Sequence, residues 1–168
     1  MKFAVLAIAM FVTAILNAQP HCIDVAFDTQ VRKYVKGSVP LIDVDMLVSE
    51  ANNVLILDAR EKEEYDISHI PGAKYIGHKK TDFSVLDGIP HDTRIVVYCS
   101  IGYRSEIIGK RITGKGYRNV ENLFGSIFEW VNRGHPLENA DGEIVTMLHA
   151  YSKAWSRWVL NPRITTVW

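Results

Sequence analysis

Cys99 follows the apolar run Ile95-Val96-Val97-Tyr98 and precedes Ser100-Ile101-Gly102-Tyr103-Arg104-Ser105. A cysteine acts as a nucleophile through its thiolate, so its surroundings decide whether it is reactive or inert. A strand end, a short loop and a helix start in succession aim several backbone N–H groups and a helix N-terminus at one point. Arg104 adds a permanent positive charge, and Gly102 allows the tight curvature of a cradle. Ser105 is placed to cap the helix and to donate a hydrogen bond to an anionic sulfur. The chemistry this pattern offers is covalent catalysis by a cysteine of lowered pKa. Taken alone, the pattern also fits a buried, inert cysteine at a strand end.

A second cluster, Asp58-Ala59-Arg60, ends the other clear apolar run, Val54-Leu55-Ile56-Leu57. In open α/β sheets ligands gather at the carboxyl ends of the strands. With both strands central in the sheet, Arg60 approaches the crevice that holds Cys99. The alternative for Arg60 is an ion pair with Glu63 or Glu64 at the start of the next helix.

The elements that must position these residues read as follows. Asp43 is a plausible N-cap for a short helix through Met46 and Leu47. Continuous apolar runs such as 54–57 and 95–98 mark strands buried on both faces, as in parallel sheets. Glu61 to Ser68 is a charged helix that stops before the turn His69-Ile70-Pro71-Gly72. Ala73 to Ile76 is a brief strand, and Phe83 to Leu86 a short helix closed by Asp87-Gly88. Ile107, Ile108 and Ile112 recur at helical spacing after Ser105, up to Gly114 and Gly116. Val120 to Leu123 is a third strand, and a further helix starts over Ile127 to Val131. Strands alternating with helices at this pitch predict an α/β fold with a mostly parallel sheet flanked by helices on both faces.

Three stretches together resemble the rhodanese-like domain family. Asp58-Ala59-Arg60 with Glu61, Glu64, Tyr65 and His69-Ile70-Pro71-Gly72-Ala73 looks like its first signature region. Tyr98 to Ser105 resembles its active-site loop. Gly116-Tyr117, Val120, Asn122-Leu123 and Gly125, followed by Ile127 and Trp130, resemble its second signature region. The resemblance covers residues ~40 to 138 in the right motif order. Ser126 stands where the family usually has a second glycine, a departure expected to affect a turn and leave the chemistry untouched.

The resemblance implies a single-domain sulfurtransferase that needs no metal or organic cofactor. Cys99 takes the outer sulfur of thiosulfate or a similar donor, holds it as a persulfide, and passes it to cyanide, a small thiol or a protein thiol. Ser100, Ile101, Gly102, Tyr103, Arg104 and Ser105, with Arg60, are the implied substrate-binding residues. Cys99 to Arg104 is six residues, the loop length that rhodanese domains use for a sulfur atom. Related cell-cycle phosphatases carry one residue more. The alternatives are a non-catalytic binding module of the same family, and a phosphatase or arsenate reductase using Cys99.

The whole chain sets the remaining bounds. Its 168 residues suit one domain with short extensions. Nineteen Lys+Arg balance nineteen Asp+Glu, which argues against a nucleic-acid partner. Two cysteines are too few for a disulfide scaffold and fit no zinc spacing. Lys2, the apolar run Phe3 to Leu16 and the small residue Ala18 resemble a secretory signal peptide. The run is short for a membrane span, which takes ~20 apolar residues. The expected organisation is a signal peptide over 1–18, a leader of uncertain order over 19–38, the rhodanese-like domain over 39–138, and a helical extension over 139–168. Export to the periplasm or cell envelope follows, without stable membrane association after cleavage. In the extension, Leu148, Tyr151, Trp155 and Trp158 fit one helix face. Core packing is favoured for them over a binding surface.

Overall fold

The computed structural model describes residues 19–50 and 53–168 of the chain; the expected signal peptide lies outside them. Five parallel strands form the central sheet in the order β1-β5-β4-β2-β3. They are β1 (Leu41–Ile42), β2 (Leu55–Asp58), β3 (Lys74–Tyr75), β4 (Arg94–Tyr98) and β5 (Asn119–Leu123). The two continuous apolar runs occupy β2 and β4, which are neighbours in the sheet, with Asp58 in register with Tyr98.

Alternation along the strands feeds two apolar layers. Ile56, Val96 and Tyr98 face one layer, built with α1 (Val25–Tyr34), α2 (Val44–Glu50) and α5 (Ser126–Asn132) through Phe27, Val31, Leu47, Ile127 and Phe128. Leu57, Ile95 and Val97 face the other, where α4 (Tyr103–Gly114) contributes Ile108 and Ile112 and a 3-10 turn at Phe83–Leu86 contributes Leu86. Helices cover both faces, as expected for strands that are apolar on both sides. Asp43 accepts the Met46 N–H at 2.9 Å and so caps α2. Glu61 and Glu64 close a capping box on α3 (Lys62–Ile67).

Two segments differ from the sequence expectation. Residues 19–38, read as a leader of uncertain order, carry α1, capped by Asp24 on the Phe27 N–H at 2.7 Å. Phe27 and Val31, one helical turn apart, are fully buried. The segment mixes polar residues with apolar ones on both sides of the helix, Ile23 and Val25 being exposed, so no clean apolar stripe announces the helix without its partner surface.

The C-terminal extension is not a helix: it is largely turns and irregular chain, with short strands and one helical turn. Leu137–Glu138 (β6) pairs antiparallel with Ile144–Val145 (β7), a hairpin that straddles the expected boundary at 138. Met147–His149 (β8) pairs in parallel with Thr165–Val167 (β9), and between them lies one helical turn, α6 (Lys153–Ser156). Tyr151 has φ +64°. That left-handed backbone interrupts any helix carried through the aromatic series. Leu148 is fully buried in the first layer, with Trp155 and Trp158 packed partly against it.

Candidate active site

Cys99 sits immediately after β4, where the chain leaves the sheet and turns into α4. Its carbonyl accepts the Ile127 N–H at 3.2 Å, so α5 anchors the loop from behind. The Cys99 N–H donates to Ser126 Oγ at 3.2 Å, and that hydroxyl donates onward to the Leu123 carbonyl at 3.0 Å. Ser126 holds φ +51° and is fully buried. The departure from the family's glycine therefore does touch the site: it places a hydroxyl on the backbone of the nucleophile.

Gly102 is the N-cap of α4, with φ +114°. A Cβ there would come 2.8 Å from Val35 Cγ2 at the end of α1, so both the backbone and the space require glycine. The Gly102 N–H points at Cys99 Sγ, 3.2 Å away. Asn122 of β5 accepts from Ser105 Oγ at 2.7 Å and donates to the Gly102 carbonyl at 2.9 Å, clamping both ends of the turn. Ser105, expected as the helix cap, lies inside the first turn of α4 instead.

Arg104 does not stand as a free charge. Its Nη1 and Nη2 bind Glu64 Oε2 and Oε1 at 2.5 and 2.8 Å, and Nη2 also reaches Ser100 Oγ at 2.9 Å. This two-point fork fixes the guanidinium plane. Burial raises the Glu64 carboxyl, but Arg104, through its hydrogen bonds and its charge, outweighs burial and holds it below the usual carboxylate range.

Cys99 is 1% exposed. Burial pushes its thiol up, yet the Arg104 charge, the Ser105 hydroxyl and amide, and the Gly102 amide together pull further the other way. The result is a pKa below that of an ordinary thiol, and hence more thiolate near neutral pH. Cys22 shows the opposite case. Burial, then the nearby Glu129 and Asp28 carboxylates, drive its pKa far up, so it stays a thiol.

A cavity of about 540 Å³ opens on Cys99, and Ser100, Ile101, Tyr103 and Arg104 line it. Gly102 and Ser105 act on the sulfur from the loop backbone and from α4 behind it. Arg60 does not belong to this crevice. It is fully buried, bound to Asp58 Oδ2 at 2.7 Å and to the Ser68 carbonyl at 2.6 Å, and absent from the cavity wall. Burial opposes its charge, and Asp58 more than compensates. The alternative, an ion pair with Glu63 or Glu64, is not formed either; the partner lies two residues upstream. Arg60 thus braces the end of β2, where Asp58 also accepts the Tyr98 hydroxyl at 2.6 Å.

The sequence reading missed Glu64 as the partner of Arg104, although it named the residue within the first signature region. It also missed Tyr34, His78, Lys79, Tyr151 and Trp155 as walls of the cavity. Among the described residues no group of three His, Cys, Asp or Glu side chains is placed to hold a metal ion.

The cysteine thus lies in a loop between a parallel strand and a helix, with a backbone N–H on its sulfur. A sequence model described as "Rhodanese-like domain" matches residues 43–133, more than half of the chain. The chain belongs to the rhodanese-like domain family. The Saccharomyces cerevisiae "Thiosulfate:glutathione sulfurtransferase" is 32% identical over 94 residues, covering 49% of this chain and 68% of that protein. An Allochromatium vinosum "Sulfurtransferase" is 30% identical over 95 residues, covering 56% of this chain and 88% of that one. This chain spans about a quarter of the length of several other curated relatives, described as adenylyltransferases and sulfurtransferases. Among solved structures, the rhodanese-like domain of an Anabaena protein superposes with a TM-score of 0.55 at 23% identity, covering 60% of this chain and 80% of that one. The Pseudomonas aeruginosa thiosulfate sulfurtransferase gives 0.53 at 25% identity, covering 72% of this chain and 23% of that one. The rhodanese-like match runs from residue 43 to residue 133, so the segments that add Tyr34, Tyr151 and Trp155 to the cavity lie outside it.

Proposed function

We propose that this protein is a sulfurtransferase that carries a sulfane sulfur from thiosulfate, or a similar donor, to a thiophilic acceptor as a persulfide on Cys99. The observation that carries this reading is the Cys99 sulfur itself. It sits on the Gly102 amide at 3.2 Å, beside the Arg104 charge, with its pKa lowered despite burial. Sulfurtransferase relatives at about 30% identity support the class.

In the first half-reaction the Cys99 thiolate attacks the outer sulfur of thiosulfate. A new S–S bond forms, the old one breaks, and sulfite leaves with the bonding electron pair. In the second, an acceptor anion attacks the outer sulfur of the persulfide, and the Cys99 thiolate leaves. Cyanide yields thiocyanate, and a thiolate yields a new persulfide. Atoms, electrons and charge balance without an external oxidant, and neither half-reaction calls on a metal or organic cofactor. The loop amides and the fixed Arg104 charge stabilise the sulfur anions in both steps.

The acceptor in the cell is a small thiol or a protein thiol, and the protein works after export, in the periplasm or envelope. N-terminal mass analysis of an exported form is expected to find a start near Gln19; full-length chain recovered only in detergent contradicts export as a soluble protein. Thiocyanate release from thiosulfate and cyanide, with the parallel reciprocal plots of a two-step exchange, tests the function. Aryl phosphate hydrolysis without thiocyanate would overturn it.

A further inference from the structure

The walls of the cavity differ from what a site for an inorganic anion needs. Four aromatic side chains from four separate places meet over Cys99. Tyr34 comes from the end of α1, Tyr103 from the start of α4, Tyr151 from the turn after β8, and Trp155 from α6. Tyr34 packs edge-on against Trp155, with ring centres 5.5 Å apart, and against Tyr103 at 6.4 Å. Tyr151 lies over the Arg104 guanidinium, 5.2 Å from its ring centre.

The three tyrosines are not core, and Trp155 packs only partly against it. Tyr34, Tyr103 and Tyr151 are 39%, 50% and 56% exposed, and Trp155 is only half-buried. Their placement nevertheless costs something. Tyr151 holds φ +64°, an unfavourable backbone for a non-glycine residue. The turn is pinned on both sides: the Tyr151 N–H donates to His149 Nδ1 at 3.1 Å, and the Ala150 N–H to the Val167 carbonyl at 2.7 Å. A turn held in strain so that a tyrosine faces the nucleophile serves the cavity rather than the core.

The polar side of the cavity is sparse. The Arg104 charge is already matched by Glu64. Glu61 faces His78 at 4.0 Å, and burial lowers the His78 pKa, so that ring stays neutral near pH 7. Lys79 is exposed and has no carboxylate within 4.0 Å among the described residues. One available cation and four aromatic faces in about 540 Å³ suit an organic ligand with one anionic end. Thiosulfate, small and heavily hydrated, gains nothing from aromatic surface. An apolar group on the same donor gains free energy in proportion to the area it withdraws from water.

We propose that this cavity selects organic sulfane-sulfur donors, in which the transferable sulfur is attached to an apolar group, ahead of inorganic thiosulfate. Tyr34, Tyr103, Tyr151 and Trp155 receive the apolar group, and Lys79 the anionic end. This assignment rests on the sulfur-transfer reading above and names its donor class. With a thiosulfonate, R–SO2–S⁻, the Cys99 thiolate attacks the terminal sulfur, the bond between the two donor sulfurs breaks, and the sulfinate R–SO2⁻ leaves with the electron pair. The Cys99 persulfide is the same as that formed from thiosulfate.

The test compares benzenethiosulfonate with thiosulfate as donors to cyanide, using the full chain. Intrinsic donor reactivity cancels when the ratio of the two kcat/KM values is followed across variants. Trp155→Ala and Tyr151→Gly are each expected to lower that ratio at least tenfold; glycine suits the Tyr151 backbone and guards against misfolding. A ratio that stays within twofold in both variants overturns the proposal. Calorimetry on Cys99→Ser separates binding from turnover. Benzenesulfonate is expected to bind and sulfate not to, and Trp155→Ala in that background is expected to abolish the difference. Equal affinity for both anions overturns the proposal. Binding of benzenesulfonate by a wild-type chain that turns over neither donor refutes the sulfur-transfer reading, and the donor assignment with it.

Discussion

Arg104 and Glu64 are joined by two hydrogen bonds, Nη1 to Oε2 at 2.5 Å and Nη2 to Oε1 at 2.8 Å, although they lie on different helices and forty residues apart. The fork holds the guanidinium beside Cys99, so the charge that favours the thiolate is fixed by a carboxylate from the first signature region. Glu64 also caps the Glu61 N–H at 2.9 Å, which ties the start of α3 to the active-site loop.

Arg104→Ala is expected to raise the Cys99 pKa and to cut turnover by a large factor, because it removes the main favourable charge on the thiolate. The sign follows from the chemistry. Thiolate is lost as pH falls through the pKa, so the variant loses its alkylation rate at a higher pH than the wild type. Arg104→Lys restores part of the loss, since an ammonium cannot reproduce the planar fork. Iodoacetamide alkylation against pH measures this; identical profiles in all three proteins would make Arg104 merely structural.

Glu64 gives the fold an acid limit. Its carboxyl is held below the usual range in the folded chain, so its stabilisation is present above the unfolded carboxylate pKa and disappears as pH falls through the folded value. Denaturation followed by circular dichroism from pH 7 downward is expected to show a loss of stability that Glu64→Gln does not share. At neutral pH, Glu64→Ala leaves Arg104 buried without its partner, at a cost of about 3–5 kcal/mol. A neutral-pH loss below about 1 kcal/mol would contradict the geometry.

Ser126 separates backbone strain from hydrogen bonding. Ser126→Gly relieves the left-handed backbone but takes the partner from the Cys99 N–H; Ser126→Ala keeps the strain and also loses the partner. An unpartnered buried N–H costs about 1–3 kcal/mol. Ser126→Ala is therefore expected to be the less stable of the two, with Tm ordered wild type, glycine, alanine. An alanine variant as stable as the glycine variant would remove the strain argument.

Much of this arrangement was written locally. The runs at β2 and β4, the isoleucine spacing on α4 and the glycine inside the Cys99 loop each carry their structural meaning within a few residues. What was hidden depends on distant partners. Phe27 and Val31 reveal a helix only against the surface of α5 and the sheet, where Phe27 stacks on Phe128 at 6.3 Å. Arg60 looks like an anion binder until Asp58 is seen turned back onto it. The aromatics of the tail share a helical spacing by coincidence. The left-handed Tyr151 splits them, sending Tyr151 and Trp155 to the cavity and Trp158 against Phe27 at 5.8 Å. The reading of the tail as core thus holds for Leu148 and Trp158 and in part for Trp155, and fails for Tyr151.

Intact-protein mass spectrometry of the reduced chain tests the central claim most directly. Treatment with thiosulfate is expected to add one sulfur atom and subsequent cyanide to remove it, in the wild type and in Cys22→Ser alike, with no adduct in Cys99→Ser. An adduct that persists in Cys99→Ser, or a wild type that acquires no sulfur from thiosulfate or from benzenethiosulfonate, would contradict a persulfide carried on Cys99.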